Sequence, residues 1–242
     1  MKKTTIILII ALLIIGLYAA TEITYYSNKI AVENNIDSPV IIINKIGVNE
    51  KINNNSVSQG VYYDNKHSFM PTKGDVLIFG HRTMLGSPFL RLNELKTGDI
   101  ITLEWPGIGE LNYTVYNSKI VPADYTLNTQ DDSQTLSLIT CHPIGSTSQR
   151  LIYEANLTSK GPLDNFLLKE NPQKNNGLYI LFGFLIFGIA LSFIYPKTEQ
   201  KYILGAVIII WAFLLYCYLQ PGPVNQFTSQ IEFINQIFTL GG

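Results

Sequence analysis

Cysteine is almost missing from this 242-residue chain, which has only Cys141 and Cys217. Cys217 lies inside a long apolar stretch and Cys141 does not, so the two are not placed to meet; a disulfide scaffold is excluded and Cys141 is a free thiol. Charge is scarce too, at 14% of residues with a net of −1. That balance leaves no basic stripe of the kind nucleic acid requires, which rules out a nucleic-acid partner. No internal repeat occurs, and the only low-complexity tract is Asn53-Asn54-Asn55. Asp131 and Asp132 are the one acidic pair that suggests calcium. They stand between Asn128-Thr129-Gln130 and Ser133-Gln134, a turn composition without further convergent carboxylates, so the chain calls for no metal and no other cofactor.

What the chain has in quantity is uninterrupted apolar sequence. Thr4 to Ala20, Leu178 to Tyr195 and Tyr202 to Leu219 carry no charge, and at about 1.5 Å per residue each crosses most of a hydrocarbon core. The first is long for a signal peptide, and Leu17 and Tyr18 spoil the small-residue spacing that a signal peptidase needs, so an uncleaved anchor is expected. Lys2 and Lys3 precede it, and the turn Pro196-Lys197-Thr198-Glu199-Gln200-Lys201 joins the other two. The excess of basic residues near those points places both on the cytoplasmic side, with Glu22 to Asn176 and the tail Gln220 to Gly242 outside. The sequons at Asn54, Asn112 and Asn156 agree with that side without adding weight.

The external segment is long enough for one domain with its own core. Short β-rich runs occur at Val40 to Asn44, Asp75 to Gly80, Ile100 to Glu104, Leu111 to Tyr116, Leu136 to Thr140 and Leu151 to Leu157, separated by Gly, Pro, Asn and Asp clusters; the pattern reads as a barrel or a sandwich. Thr21 to Asn34 continues the first span with helical composition. Ser87 to Leu95 reads as a short helix, with Ser87 as cap, Pro88 at the first position and Phe89, Leu90, Leu92 and Leu95 behind them. Val57 to Lys73 reads as a surface connection and Leu163 to Asn176 as a linker. The expected organisation is therefore an anchor at 1–21, a helical stalk at 22–39, a β domain at 40–162, the linker at 163–176, a two-helix membrane hairpin at 177–219 and an external tail at 220–242.

Three strand ends carry the chemistry. Cys141 closes the run Ser137-Leu138-Ile139-Thr140-Cys141, Arg150 opens the next run, and His81 follows Asp75-Val76-Leu77-Ile78-Phe79-Gly80. A thiol with an ordinary pKa near 8.5 is only a few per cent thiolate at neutral pH, and a neighbouring cation raises that share. A lone cysteine is more often a small buried hydrophobe. His142 competes with His81 for an acid-base role, but adjacent strand residues point to opposite faces, which turns His142 away from the thiol. His67 sits in a polar loop. Arginines are mostly solvated or paired, and that is the reading for Arg82 and Arg91. Thr140 faces away from the nucleophile and has a structural role.

In their order and spacing, His81, the run Ser137-Leu138-Ile139-Thr140-Cys141 and Arg150 nine residues later resemble the sortases, membrane-anchored cysteine transpeptidases, over roughly Val40 to Lys160. Ser137 stands where the family usually has threonine, a conservative change on a strand. Gly80-His81-Arg82-Thr83 followed by Phe89-Leu90-Arg91-Leu92-Asn93-Glu94-Leu95-Lys96-Thr97-Gly98-Asp99 looks like the stretch after the catalytic histidine in the classes often called D and E. The resemblance implies a mainly β fold, a closed sortase-like barrel with short helices, here with three transmembrane helices. It implies Cys141 as nucleophile, His81 as the general acid and base, and Arg150 as donor to the oxyanion or the bound peptide. Its substrates would be surface proteins carrying a C-terminal signal of the Leu-Pro-x-Thr-Gly kind, cleaved between Thr and Gly, held as a thioester and passed to an amine of the cell surface or of another subunit. Two spans after the catalytic domain depart from the commonest single-anchor plan.

Three other functions stand beside this one. An L,D-transpeptidase wants Ser-x-Gly-Cys-x-Arg, whereas His142 and Pro143 follow this cysteine. A papain-like peptidase places its cysteine early, with the histidine downstream, the reverse of this order. A non-catalytic membrane-anchored binding module would make the residue matches fortuitous. In the tail, Phe227, Ile231, Ile234 and Phe238 recur at helical spacing, which suits a helix on the bilayer surface or, less simply, a plug for the enzyme's groove.

Overall fold

The computed structural model describes residues 2–32, 38–83, 85–163 and 175–220, together with residues 227, 230, 231 and 234 of the tail. The chain divides into two units, Met1–Ala31 with Lys174–Gly242, and Val32–Gln173. Most of the expected linker and tail lies outside the described residues.

The second unit is a closed barrel of eight strands: β1 (Val40–Ile43), β2 (Val48–Asn53), β3 (Val61–Tyr63), β4 (Val76–Phe79), β5 (Ile100–Trp105), β6 (Gly109–Pro122), β7 (Thr135–His142) and β8 (Gln149–Gly161). Their order around the wall is β1-β2-β3-β4-β7-β8-β6-β5, with β5 pairing back to β1. All neighbours are antiparallel except β2 with β3 and β4 with β7. The β-branched runs alternate as the pleat demands. Ile41, Ile43, Ile78, Leu136, Leu138, Leu151 and Tyr153 enter the barrel core, while Leu77, Ile139 and Ile152 form a second buried cluster with Phe79, Val121 and Leu127 beside it.

All six expected runs are strands. The two that sequence pattern missed are β2, where Glu50 sits between Val48 and Ile52 and breaks the apolar alternation, and β3, which lies inside the expected surface connection with Val61 and Tyr63 buried. The expected helix from Ser87 to Leu95 is not an α-helix. Ser87 has φ 45°, outside the extended region that a cap occupies. Successive i→i+3 bonds (Leu90 N to Ser87 O, Leu92 N to Phe89 O, Leu95 N to Leu92 O) carry the chain instead into a 3-10 turn at Leu92–Glu94. Three residues per turn is the period that puts Phe89, Leu92 and Leu95 on one side, and all three are in the core.

The long strand β6 aims the outer face. Up to Val115, which pairs with Ala155, its odd-numbered residues point inward; an irregularity then pairs Asn117 with Glu154, Lys119 with Ile152 and Val121 with Arg150. One extra residue, Tyr116, therefore turns Asn117, Lys119 and Val121 to the outside of the wall.

The first unit contains three helices, α1 (Lys3–Val32), α2 (Asn176–Ile194) and α3 (Lys197–Leu219), each long and apolar enough to cross a membrane. They share one core: Leu12, Ala20 and Ile23 from α1, Leu181 and Phe184 from α2, and Ile203, Val207, Ile210, Leu214 and Cys217 from α3. Glycine sets the spacing, as is common between apolar helices. A Cβ on Gly16 would lie 2.6 Å from Ile210, and one on Gly188 would lie 2.6 Å from Val207. Glu199 at the start of α3 accepts from Thr5 Oγ1 at 2.8 Å and from Lys2 N at 3.0 Å, which ties the first turn of α1 to the α2–α3 turn. At the other end, a Cβ on Gly177 of α2 would lie 3.5 Å from Cβ of Tyr26 on α1. In the tail the Phe227 ring stands 6.0 Å from that of Phe213 on α3, and Ile231 N bonds Phe227 O at 3.1 Å.

Candidate active site

Strand register brings the three singled-out residues to one row on the outside of the barrel. Cys141 on β7 is directly opposite Arg150 on β8 in an antiparallel pair, a position where side chains on one face are nearest neighbours. β4 runs parallel beside β7 with Phe79 opposite Ile139, and Gly80 N continues the ladder to Ile139 O at 3.1 Å. Two residues on from that pair are His81 and Cys141. Along β4 the outer face reads Leu77 and Phe79, with His81 two residues past the end of the strand; along β7 it reads Ser137, Ile139, Cys141; along β8 it reads Glu154, Ile152, Arg150. The thiol end of the row therefore rises from an apolar floor made by Leu77, Phe79, Ile139 and Ile152, flanked by Val121 and Leu127.

Each of the three is half-buried. Among the described residues the His81 side chain makes no hydrogen bond, but its backbone is fixed: Phe89 N donates to His81 O at 3.1 Å. Next to it, Thr140 turns inward and its Oγ1 donates to Gly80 O at 2.7 Å, so the two strands that bear histidine and cysteine are cross-tied one residue before each. Arg150 Nη1 donates to Thr147 O at 2.8 Å and Gln149 O at 3.0 Å, which turns the guanidinium onto the β7–β8 loop. Beyond the floor, burial pushes the Glu154 carboxyl up, but bonds from Lys119 (2.7 Å) and Asn117 (2.8 Å) outweigh it and hold the group below its ordinary range.

Burial lowers the pKa of His81 from 6.5. The folded protein thus keeps this imidazole neutral over a range in which the unfolded chain, at 6.5, takes up a proton. Above pH 6.5 both states are neutral and nothing is lost; below it the unfolded state binds more protons and stability falls until the lowered folded value is passed. The full-length protein in detergent should accordingly lose more melting temperature between pH 7.5 and pH 5 than the His81→Gln variant, which has no group to titrate there. Equal losses would show that His81 does not titrate below its ordinary value.

The remaining candidates lie elsewhere. His67 is exposed and pairs with Asp64 at 2.8 Å. Arg91 makes a surface pair with Glu94. Asp131 forms an isolated bridge with Gly74, and Asp132, at φ 61°, donates its N–H to Lys73 O. Arg82, expected to be solvated or paired, is neither solvated nor, among the described residues, paired with a carboxylate. It is 4% exposed, with Nη1 on Cys141 O at 3.3 Å and His142 Nδ1 at 3.0 Å, and Nη2 on Asn93 Oδ1 at 2.8 Å. The alternation that faces His81 outward faces its successor inward, and that was the available signal.

A family model described as Sortase domain matches residues 33–158, just over half of the 242 residues. Among solved structures the chain is similar to a Sortase D5 transpeptidase of Clostridium perfringens, at 24% identity over 55% of this chain and 88% of that one, with a TM-score of 0.46. It is also similar to sortase C-1 of Actinomyces oris, at 25% identity over 52% and 75%, TM-score 0.47. A sortase C of Clostridium perfringens with the C-terminal cell wall sorting motif matches at 22% identity over 58% and 89%, TM-score 0.44. No curated protein matches.

Proposed function

Given that this chain belongs to the sortase family of cysteine transpeptidases, we propose that it is a membrane-held sortase of the class D or E kind, cleaving a Leu-Pro-x-Thr-Gly-like signal at the C-terminus of surface proteins. Cys141 attacks the threonine carbonyl and forms a thioester as the peptide bond to glycine breaks. His81 hands the departing amine its proton, then takes one from the amine that resolves the thioester. Arg150 swings from its loop carbonyls to donate to the oxyanion or the peptide backbone. The observation that carries this reading is the register itself: opposed Cys141 and Arg150, with His81 two places beyond the Phe79–Ile139 pair.

The domain is proposed to span 40–162 and to stand outside the cell, between an uncleaved anchor and a two-helix hairpin, with membrane-borne substrates sharing its plane and so raised in effective concentration. Two features support the topology. α1 packs into the core of the helical unit beside α2 and α3, and the Glu199 bonds put the first residues and the α2–α3 turn at one end, as the basic residues require. Contact of Phe227 with α3 favours a membrane-side role for the tail over a plug.

Incubating the full-length protein in detergent with a Leu-Pro-x-Thr-Gly peptide and a small amine, and reading intact mass, tests the proposal. An acyl adduct on the Cys141 peptide and an amine-capped product are expected. A folded protein giving neither across several signal variants would refute the substrate assignment.

A further inference from the structure

Arg82 is a buried cation with an unusual set of partners. Its closest acceptors are the Cys141 carbonyl, the Nδ1 of His142 and the side-chain oxygen of Asn93, with Leu90 O reached by Nε at 3.5 Å. None of these is a carboxylate. Arginine has donors only, so His142 Nδ1 must accept. A guanidinium withdrawn from water is costly unless it is paired, yet among the described residues this one is held by neutral oxygens and an imidazole. It joins the end of β4, the 3-10 turn and the end of β7, three segments that meet at the nucleophile. Charge in such a place acts on its neighbours through less water than a surface charge does.

We propose that Arg82 is a positioning residue for the nucleophile: it pins the Cys141 carbonyl, which fixes where β7 ends and where the thiol points, and its unneutralised charge favours negative charge on the sulfur. Arg150 lies on the open side of the same strand end and is the residue free to meet substrate; Arg82 acts from behind, through the backbone of Cys141. The inference rests on the transpeptidase reading for its effect on turnover, but not for its effect on the thiol.

The decisive variant is Asn93→Asp, which keeps the shape and the bond to Nη2 while supplying the carboxylate that Arg82 lacks. In the full-length protein in detergent, alkylation of Cys141 by iodoacetamide at neutral pH, located by peptide mass, should slow about fivefold, the scale of one nearby unit charge at a partly hydrated site. The melting temperature should stay level or rise. Arg82→Gln should slow alkylation at least as much, and Arg82→Lys, which restores charge without the fork, should recover part of the rate. In peptide transfer, kcat should fall in step and KM should hardly move. Asn93→Asp reacting at the wild-type rate would overturn the proposal, whether or not Arg82→Gln folds. So would Arg82→Lys as slow as Arg82→Gln, since that pattern is packing alone. Slowed alkylation in a protein that forms no acyl adduct with any signal peptide would uphold Arg82's role and sink the substrate reading instead.

Discussion

Cys141→Ala should abolish both the acyl adduct and the amine-capped product, with transfer falling by about four orders of magnitude or more. Removing a nucleophile differs from removing an orienting group, because no other side chain on the row can form the thioester. Cys141 is the next-to-last residue of β7, on the outer face, half-buried and outside the barrel core, so trimming it to alanine leaves no core cavity and the unfolding free energy should hold within about 0.5 kcal/mol, as is typical of surface changes. Cys141→Ser separates the thiol's chemistry from its shape, since a hydroxyl keeps the geometry but ionises far less readily; it should be nearly as inactive. Intact mass with a signal peptide, beside a thermal melt, checks both. Residual transfer in a folded Cys141→Ala protein would mean that the acyl group travels by another route.

Phe89→Ala should cost about 3–5 kcal/mol, the usual range for emptying a large aromatic site. Phe89 is fully buried, and its ring lies against Gly80: a Cβ built on that glycine would come 2.5 Å from the ring. Gly80→Ala should therefore cost about 1–3 kcal/mol by overpacking. The two are not independent. Once the ring is gone the added methyl has room, so the double variant should be less destabilised than the sum of the singles, by an amount that a double-mutant cycle in denaturant measures. The effect also reaches the site, because Gly80 precedes His81 and Phe89 N holds the His81 carbonyl. Gly80→Ala should lose transfer rate at temperatures where it remains folded, while Leu90→Ala, on the exposed side of the same turns, should not. Simple additivity in the cycle would show that ring and glycine do not press on each other.

The parts of the fold that could be read in the sequence are those where one force acts alone. The strands under the site are β-branched runs, and the row that holds His81, Cys141 and Arg150 follows from strand alternation once the neighbours are known. That β4 and β7 are neighbours is not local information; it comes from closure of the barrel. β2 was hidden because a glutamate shares the face of Val48 and Ile52, and β3 because three residues set among polar turns show no period. The Ser87–Leu95 segment has an apolar spacing that suits a helix of 3.6 residues and one of three, and only Ser87's left-handed backbone decides between them. Arg82 was missed for a different reason. Composition makes an arginine a surface residue, and burial among carbonyls belongs to the tertiary fold.

The glycine contact between the barrel-connected ends of α1 and α2 bears on shedding. On the membrane-anchored reading proposed above, the chain leaves the helical unit and re-enters it at the same end, since Gly177 packs against Tyr26, and the barrel has two covalent connections to one membrane face. A protease that cuts only one connection, at residues 33–37 or at 164–174, leaves the domain covalently held by the other. Such nicked protein would run as two fragments on a denaturing gel and still sediment with membranes. Release into the medium takes both cuts.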